Sequence, residues 1–125
     1  MAGPKVMIVD DDDIILSIEK WRISNLGYDI CGSAGTGKDA LDCVAKMRPD
    51  IVLMDITLKG EMDGIETAGR IKKDFNIPVI FVSSHTDGEI LQRAIAVKPD
   101  GFVKKPFDDD NLRIALELGL KKQGS

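Results

Sequence analysis

Apolar residues in this chain come in short unbroken runs, and each run stops at a polar residue with its own chemistry. Ile51-Val52-Leu53-Met54 ends at Asp55, and Val6-Met7-Ile8-Val9 ends at Asp10-Asp11-Asp12-Asp13. Val79-Ile80-Phe81-Val82 ends at Ser83-Ser84, and Phe102-Val103 leads into Lys104-Lys105-Pro106. Consecutive apolar residues without alternation describe strands buried on both faces, as in a parallel sheet covered by helices. If these strands are neighbours in one sheet, their carboxyl ends bring acids, a hydroxyl and a lysine to one rim, where open α/β sheets bind ligands.

Between the runs the period changes to that of a helix. Asp12 or Asp13 can cap a first helix to about Leu26, with Ile15, Ile18 and Leu26 inward, Arg22 interrupting that stripe and Gly27 as its stop. Tyr28 to Gly32 reads as a weaker second strand, nearer an edge. Gly37-Lys38-Asp39 opens a second helix with Ala40, Leu41 and Val44 on one face, closed by Arg48-Pro49. Ile56 to Asp63 reads as a surface loop, followed by a third helix from about Gly64 to Phe75 with Ile65, Ala68, Ile71 and Phe75 buried. Pro78 starts the fourth strand, and Thr86 or Asp87 caps a fourth helix with Ile90, Ala94 and Val97 inward. Lys98 to Gly101 is a turn, and Asp108 to Asp110 precede a fifth helix with Leu112, Ala115, Leu116 and Gly119 on one face. Five strands alternating with five helices imply a doubly wound parallel α/β sheet.

At 125 residues the chain is expected to be one domain, 1–125, with its core at about 5–120. A net charge of −4, from 17 basic and 21 acidic residues, marks no nucleic-acid or anionic-membrane surface. No apolar run approaches the ~20 residues that span a bilayer, so a cytoplasmic location is expected. Cys31 and Cys43 lack metal-ligand spacing and are expected to be buried free thiols. Met1 to Pro4 and Gly124-Ser125 read as added ends, so the domain can be a piece of something longer.

Clustered carboxylates with neither histidine nor cysteine among them select a hard cation, and Asp10, Asp11 and Asp55 fit Mg²⁺ or Mn²⁺ better than zinc. With the cation in place a phosphoryl group can approach one carboxylate, while Lys105 and the Ser83 hydroxyl hold its other oxygens. Asp55 is then the nucleophile and the product an acyl phosphate. Two rival readings use some of the same residues. Gly32 to Lys38 fits the front of a P-loop, but Asp39 stands where serine or threonine must coordinate Mg²⁺. Phosphatases that attack through aspartate need a second acid two residues later, and here that residue is Thr57.

Taken together, Asp10-Asp11, Asp55, Asp63-Gly64, Ser83 and Lys105-Pro106, each at its strand or helix end, resemble the receiver domain of two-component response regulators from Lys5 to about Leu120. The resemblance implies a flavodoxin-like sheet of order 2-1-3-4-5, of which a chemotaxis receiver of this same family is a standard example, with strands one and three side by side at the switch point. It implies a phospho-acceptor rather than an enzyme acting on other molecules, with Asp55 receiving the phosphoryl group from a sensor histidine kinase or phosphotransfer protein. Asp11 and Asp55 would bind Mg²⁺ directly, Asp10 through water, and the Thr57 carbonyl would complete the protein's share. Lys105 would pair with phosphoryl oxygens, and Ser83 would move toward them and let Phe102 turn inward. Thr57 and His85 would border the path of the hydrolytic water. An output protein, an output domain or a second copy would bind across helix four, strand five and helix five, where Ile114 and Leu118 form an extra apolar pair. The loop 56–62 departs from the family pattern in length, and Lys59 stands where proline is frequent. A receiver-like interaction module that is never phosphorylated is the non-catalytic alternative, and it would be expected to lack one of the key residues.

Overall fold

A computed structural model describes residues 3–84 and 87–123. Five parallel strands form one sheet in the order β2-β1-β3-β4-β5: β1 is Lys5–Val9, β2 Asp29–Ala34, β3 Ile51–Asp55, β4 Val79–Ser83 and β5 Gly101–Lys104. The helices are α1 (Asp13–Asn25), α2 (Gly37–Met47), α3 (Gly64–Phe75), α4 (Gly88–Ala96) and α5 (Asp109–Gln123). Alternate residues of the central strands supply two cores. Met7, Val9, Val52, Met54, Val79 and Phe81 pack under α2, α3 and α4. Val6, Ile8, Ile51, Leu53, Ile80 and Val82 pack under α1 and α5. With both faces covered, every position of these runs is buried, which is why no polar residue interrupts them.

Register places the functional rim. Val9 pairs with Met54 and Asp55 with Val82, so Asp10 follows directly beside Asp55. Ser83 pairs with Lys104, setting Lys105 just past the same edge. Helix starts are held by side-chain oxygens: Asp12 accepts from the Ile14 and Ile15 amides, Thr36 from Asp39, Asp63 from Glu66 and Asp87 from Ile90. Each such cap contributes about 1 kcal/mol.

Several expectations need correction. The buried face of α1 is not Ile15 and Ile18, which are exposed, but the row Leu16, Glu19, Ile23 and Leu26. The apolar residues of this helix are spread over opposite sides, so its periodicity does not define a face. Tertiary contacts hold its orientation instead, the core packing of Ile23 and the ties of Arg22 among them. The Arg22 side chain donates to the Phe107 carbonyl at 2.9 Å, pairs with Asp109 at 2.8 Å and stacks 4.6 Å from the Phe107 ring centroid. Strand β2 runs on to Ala34, through residues that a P-loop would need as a phosphate loop. The segment 56–63 is not simply surface, since Ile56 and Leu58 anchor it in the core. Cys31 and Cys43 are free but only half-buried.

Candidate functional site

Asp10 leaves β1 buried, with one carboxylate oxygen accepting the Asp12 amide at 2.9 Å and the other 3.4 Å from Lys105 Nζ. Asp11 accepts the backbone amide of Lys59 at 3.1 Å, tying the β3–α3 loop across the rim. The same loop bridges to Thr36 through Lys59. Asp55, half-buried at the end of β3, accepts the Thr57 amide at 3.3 Å and lies 3.7 Å from Lys105 Nζ. One oxygen from each of Asp10, Asp11 and Asp55 lies within 4.8 Å of the other two.

Glycine makes this packing possible at one point in particular. A β-carbon on Gly64 would overlap the carbonyl oxygen of Asp55, while its amide donates to the Ile56 carbonyl at 2.9 Å. The Asp63-Gly64 pair therefore caps α3 and lets its first turn close against the strand end that carries Asp55. Asp63 also pairs with Arg93 of α4 at 2.8 Å.

Lys105 is aimed by its own backbone, whose amide donates to the Ser83 carbonyl at 2.9 Å. Ser83 is buried at the end of β4. Phe102, opposite Phe81 in the sheet, is half-buried against the core under α2, α3 and α4. Thr57 is exposed beside Asp55, and His85 lies outside the described residues.

Electrostatic strain is concentrated here. Burial pushes Asp55 up to about 6, the neighbouring Asp10 and Asp11 add to that, and Lys105 and the Thr57 amide oppose it. Burial works to lower Lys105, but Asp55, Asp10 and Glu19 outweigh it and hold the ammonium above its ordinary value. Glu19 is the member of the cluster that sequence reasoning missed. It is buried on α1, and burial first, then the neighbouring Asp10, pushes it up to about 8. The row Leu16, Ile23 and Leu26 turns Glu19 inward as well, but the apolar residues spread around α1 do not single that row out in the sequence.

Residues 6–117 match the family model of the response regulator receiver domain. The chain belongs to that family. Among solved receivers, the signal receiver domain of a modulated diguanylate cyclase from Desulfovibrio desulfuricans G20 superposes with a TM-score of 0.92 at 38% identity, over 98% of this chain and 97% of that one. The receiver of an HD domain-containing protein from Pseudomonas fluorescens Pf-5 does so with a TM-score of 0.89 at 27% identity, over 98% of each chain. A LuxR-family two-component response regulator from Aurantimonas sp. SI85-9A1 gives 0.88 at 28%, over 97% of this chain and 87% of that one. This receiver thus has the strand order expected from its motifs. Its three rim carboxylates supply an oxygen-only donor set, which fits a hard divalent cation. None of its described helices is long and apolar enough to cross a membrane.

Proposed function

We propose that this receiver accepts a phosphoryl group on Asp55 from the phosphohistidine of a sensor histidine kinase or phosphotransfer protein. One observation carries the reading: the Asp55 carboxylate lies in a cluster with two further acids, and the Lys105 ammonium stands 3.7 Å from it and 3.4 Å from Asp10. A bound Mg²⁺ or Mn²⁺ would be held by Asp11 and Asp55, by Asp10 through water and by the Thr57 carbonyl, and would neutralise charge on the incoming phosphoryl oxygens. A carboxylate oxygen of Asp55 attacks phosphorus as the bond to the imidazole nitrogen breaks, and the nitrogen leaves with the electron pair. Lys105 then turns from Asp10 and Asp55 toward a phosphoryl oxygen, and the Ser83 hydroxyl takes another. Thr57, exposed beside Asp55, borders the approach of the water that later hydrolyses the acyl phosphate.

The signal leaves through α4, β5 and α5. As Ser83 moves toward the phosphoryl group, Phe102 turns further inward and reshapes a recess lined by Phe102, Lys104, Ile114, Ala115 and Leu118. Ile114 and Leu118 are 56% and 57% exposed, a surface for an output protein, an output domain or a second copy. The module never phosphorylated has less support, because acids, hydroxyl and lysine are all present and converge.

Mass spectrometry after incubation with acetyl phosphate and Mg²⁺ tests the reading. Wild type should gain a hydroxylamine-sensitive phosphoryl adduct that Asp55→Asn never forms. An adduct on serine or histidine would overturn it.

A further inference from the structure

Each carboxylate of the acid triplet accepts a backbone amide, but the three amides come from different places. Asp10 accepts from Asp12 at 2.9 Å and Asp55 from Thr57 at 3.3 Å, in each case two residues further along the chain. Asp11 accepts instead from Lys59, 48 residues away, at 3.1 Å. That distant amide is itself fixed. Leu58, just before it, is buried in the core under α2, α3 and α4, and Lys59 is bridged to Thr36, whose hydroxyl caps α2 by accepting the Asp39 amide at 3.1 Å. The backbone makes these ties, while the Lys59 side chain is exposed. Lys59 stands where the family often has proline, which has no N–H to donate, so the bond to Asp11 belongs to this chain.

We propose that Lys59 is a positioning residue of the acid site through its backbone amide: that N–H holds the Asp11 carboxylate in the orientation the cation needs, and so couples the β3–α3 loop to cation binding. A carboxylate has two oxygens and about four lone-pair directions, so Asp11 can accept this amide and still offer an oxygen to a cation. Lys59 acts on the cation only through Asp11, and its side chain has no part in the effect. A hydrogen bond to a charged acceptor is stronger than one to a neutral acceptor, and an anchored loop delivers it without further ordering. Coupling is reciprocal, so a cation held better because the bond is made must in turn make that bond harder to open. The proposal rests on the divalent-cation site of the preceding reading.

The test compares wild type with Lys59→Ala, which keeps the N–H, and Lys59→Pro, which lacks it, by calorimetric Mg²⁺ titration. Lys59→Ala should bind Mg²⁺ at least as tightly as wild type, since a positive charge on the rim loop is gone, whereas Lys59→Pro should bind about tenfold more weakly. An ester in place of the Leu58–Lys59 peptide bond removes the N–H and leaves every side chain, and it should show the same tenfold loss. If proline displaces the loop or prevents folding, the ester carries the comparison. Hydrogen exchange at the wild-type Lys59 amide, followed by NMR, should slow by about tenfold when Mg²⁺ saturates the site, a response that a contact serving the fold alone would not give. Wild-type affinity in the ester would overturn the proposal. So would an equal loss in Lys59→Ala, which would place the effect in the side chain, or exchange at Lys59 that Mg²⁺ leaves unchanged. A wild type that binds no Mg²⁺ removes the cation reading and this proposal with it, so the two failures are told apart by the wild type alone.

Discussion

The ammonium of Lys105 stands 3.7 Å from the carboxylate of Asp55; Asp55 is the last residue of β3 and Lys105 directly follows β5, at the same end of the sheet. It also stands 3.4 Å from Asp10, so the lysine is shared between two acids rather than committed to one. A shared, incompletely engaged cation is poised to change partner when a stronger anion arrives.

Lys105→Ala should therefore separate chemistry from signalling. Mg²⁺ should bind at least as tightly as in wild type, because a like charge near the cation has been removed. Phosphorylation at Asp55 should persist, slowed, without the downstream change in association. A variant that loses Mg²⁺ affinity as severely as Asp11→Ala would show that Lys105 serves the metal site instead.

The raised acids give the metal-free fold a defined pH dependence. Asp55 goes from 3.8 to about 6 and Glu19 from 4.5 to about 8, in both cases first through burial. Over that window the folded chain holds protons that the unfolded chain has released, so stability is greatest below about pH 4 for these groups and is lost as pH rises toward about 8. In chelator the Tm should fall by on the order of 5 °C between pH 5.5 and 8.5 on their account. Mg²⁺ at roughly 100 times its Kd should restore about 2.7 kcal/mol at the alkaline end. Equal Tm values at both pH values, with and without metal, would count against the strained acid site.

Gly64→Ala should be costly at the rim itself. Its β-carbon would be driven into the Asp55 carbonyl, and the first turn of α3 must shift to make room. A destabilisation of about 3 kcal/mol is expected, read by urea unfolding, together with weakened Mg²⁺ binding. Gly88→Ala, with open space around its α-carbon at the start of α4, is the control and should cost little.

Ile114→Glu tests the output face. The side chain is more than half exposed beside the recess at Phe102, so the fold should tolerate the charge. Asp55 phosphorylation should be unchanged while phosphorylation-dependent association, measured by light scattering or pull-down, weakens. Association that survives intact would move the output surface elsewhere.

Arg22→Ala should loosen the junction between α1 and the β5–α5 loop, with a loss of about 1 to 2 kcal/mol from a stacked guanidinium and a charged hydrogen bond. Unchanged urea unfolding would mean that the contacts are incidental.

Strand positions and the rim could be read directly from the residues. Runs such as Val79 to Val82 are buried on both faces, which leaves no polar position to confuse the period, and the polar residue that ends each run marks the sheet edge. The strand order came from the likeness of those rim residues to a known family, because periodicity says that a strand is buried without naming its neighbours. Helix α1 was misread for a related reason: Ile14, Ile15, Ile18 and Trp21 outweigh Leu16 and Ile23 in any local count, yet they are the exposed side. On the buried side Ile23 packs into the core and Arg22 meets Phe107 and Asp109 from the far end of the chain, contacts that no local pattern carries. In the same orientation Glu19 is buried within electrostatic reach of Asp10. The sequence by itself thus determined which acids, hydroxyl and lysine stand at the strand ends. Only the tertiary structure decided that a further carboxyl lies beneath them, because burial and partner choice are properties of the packed whole.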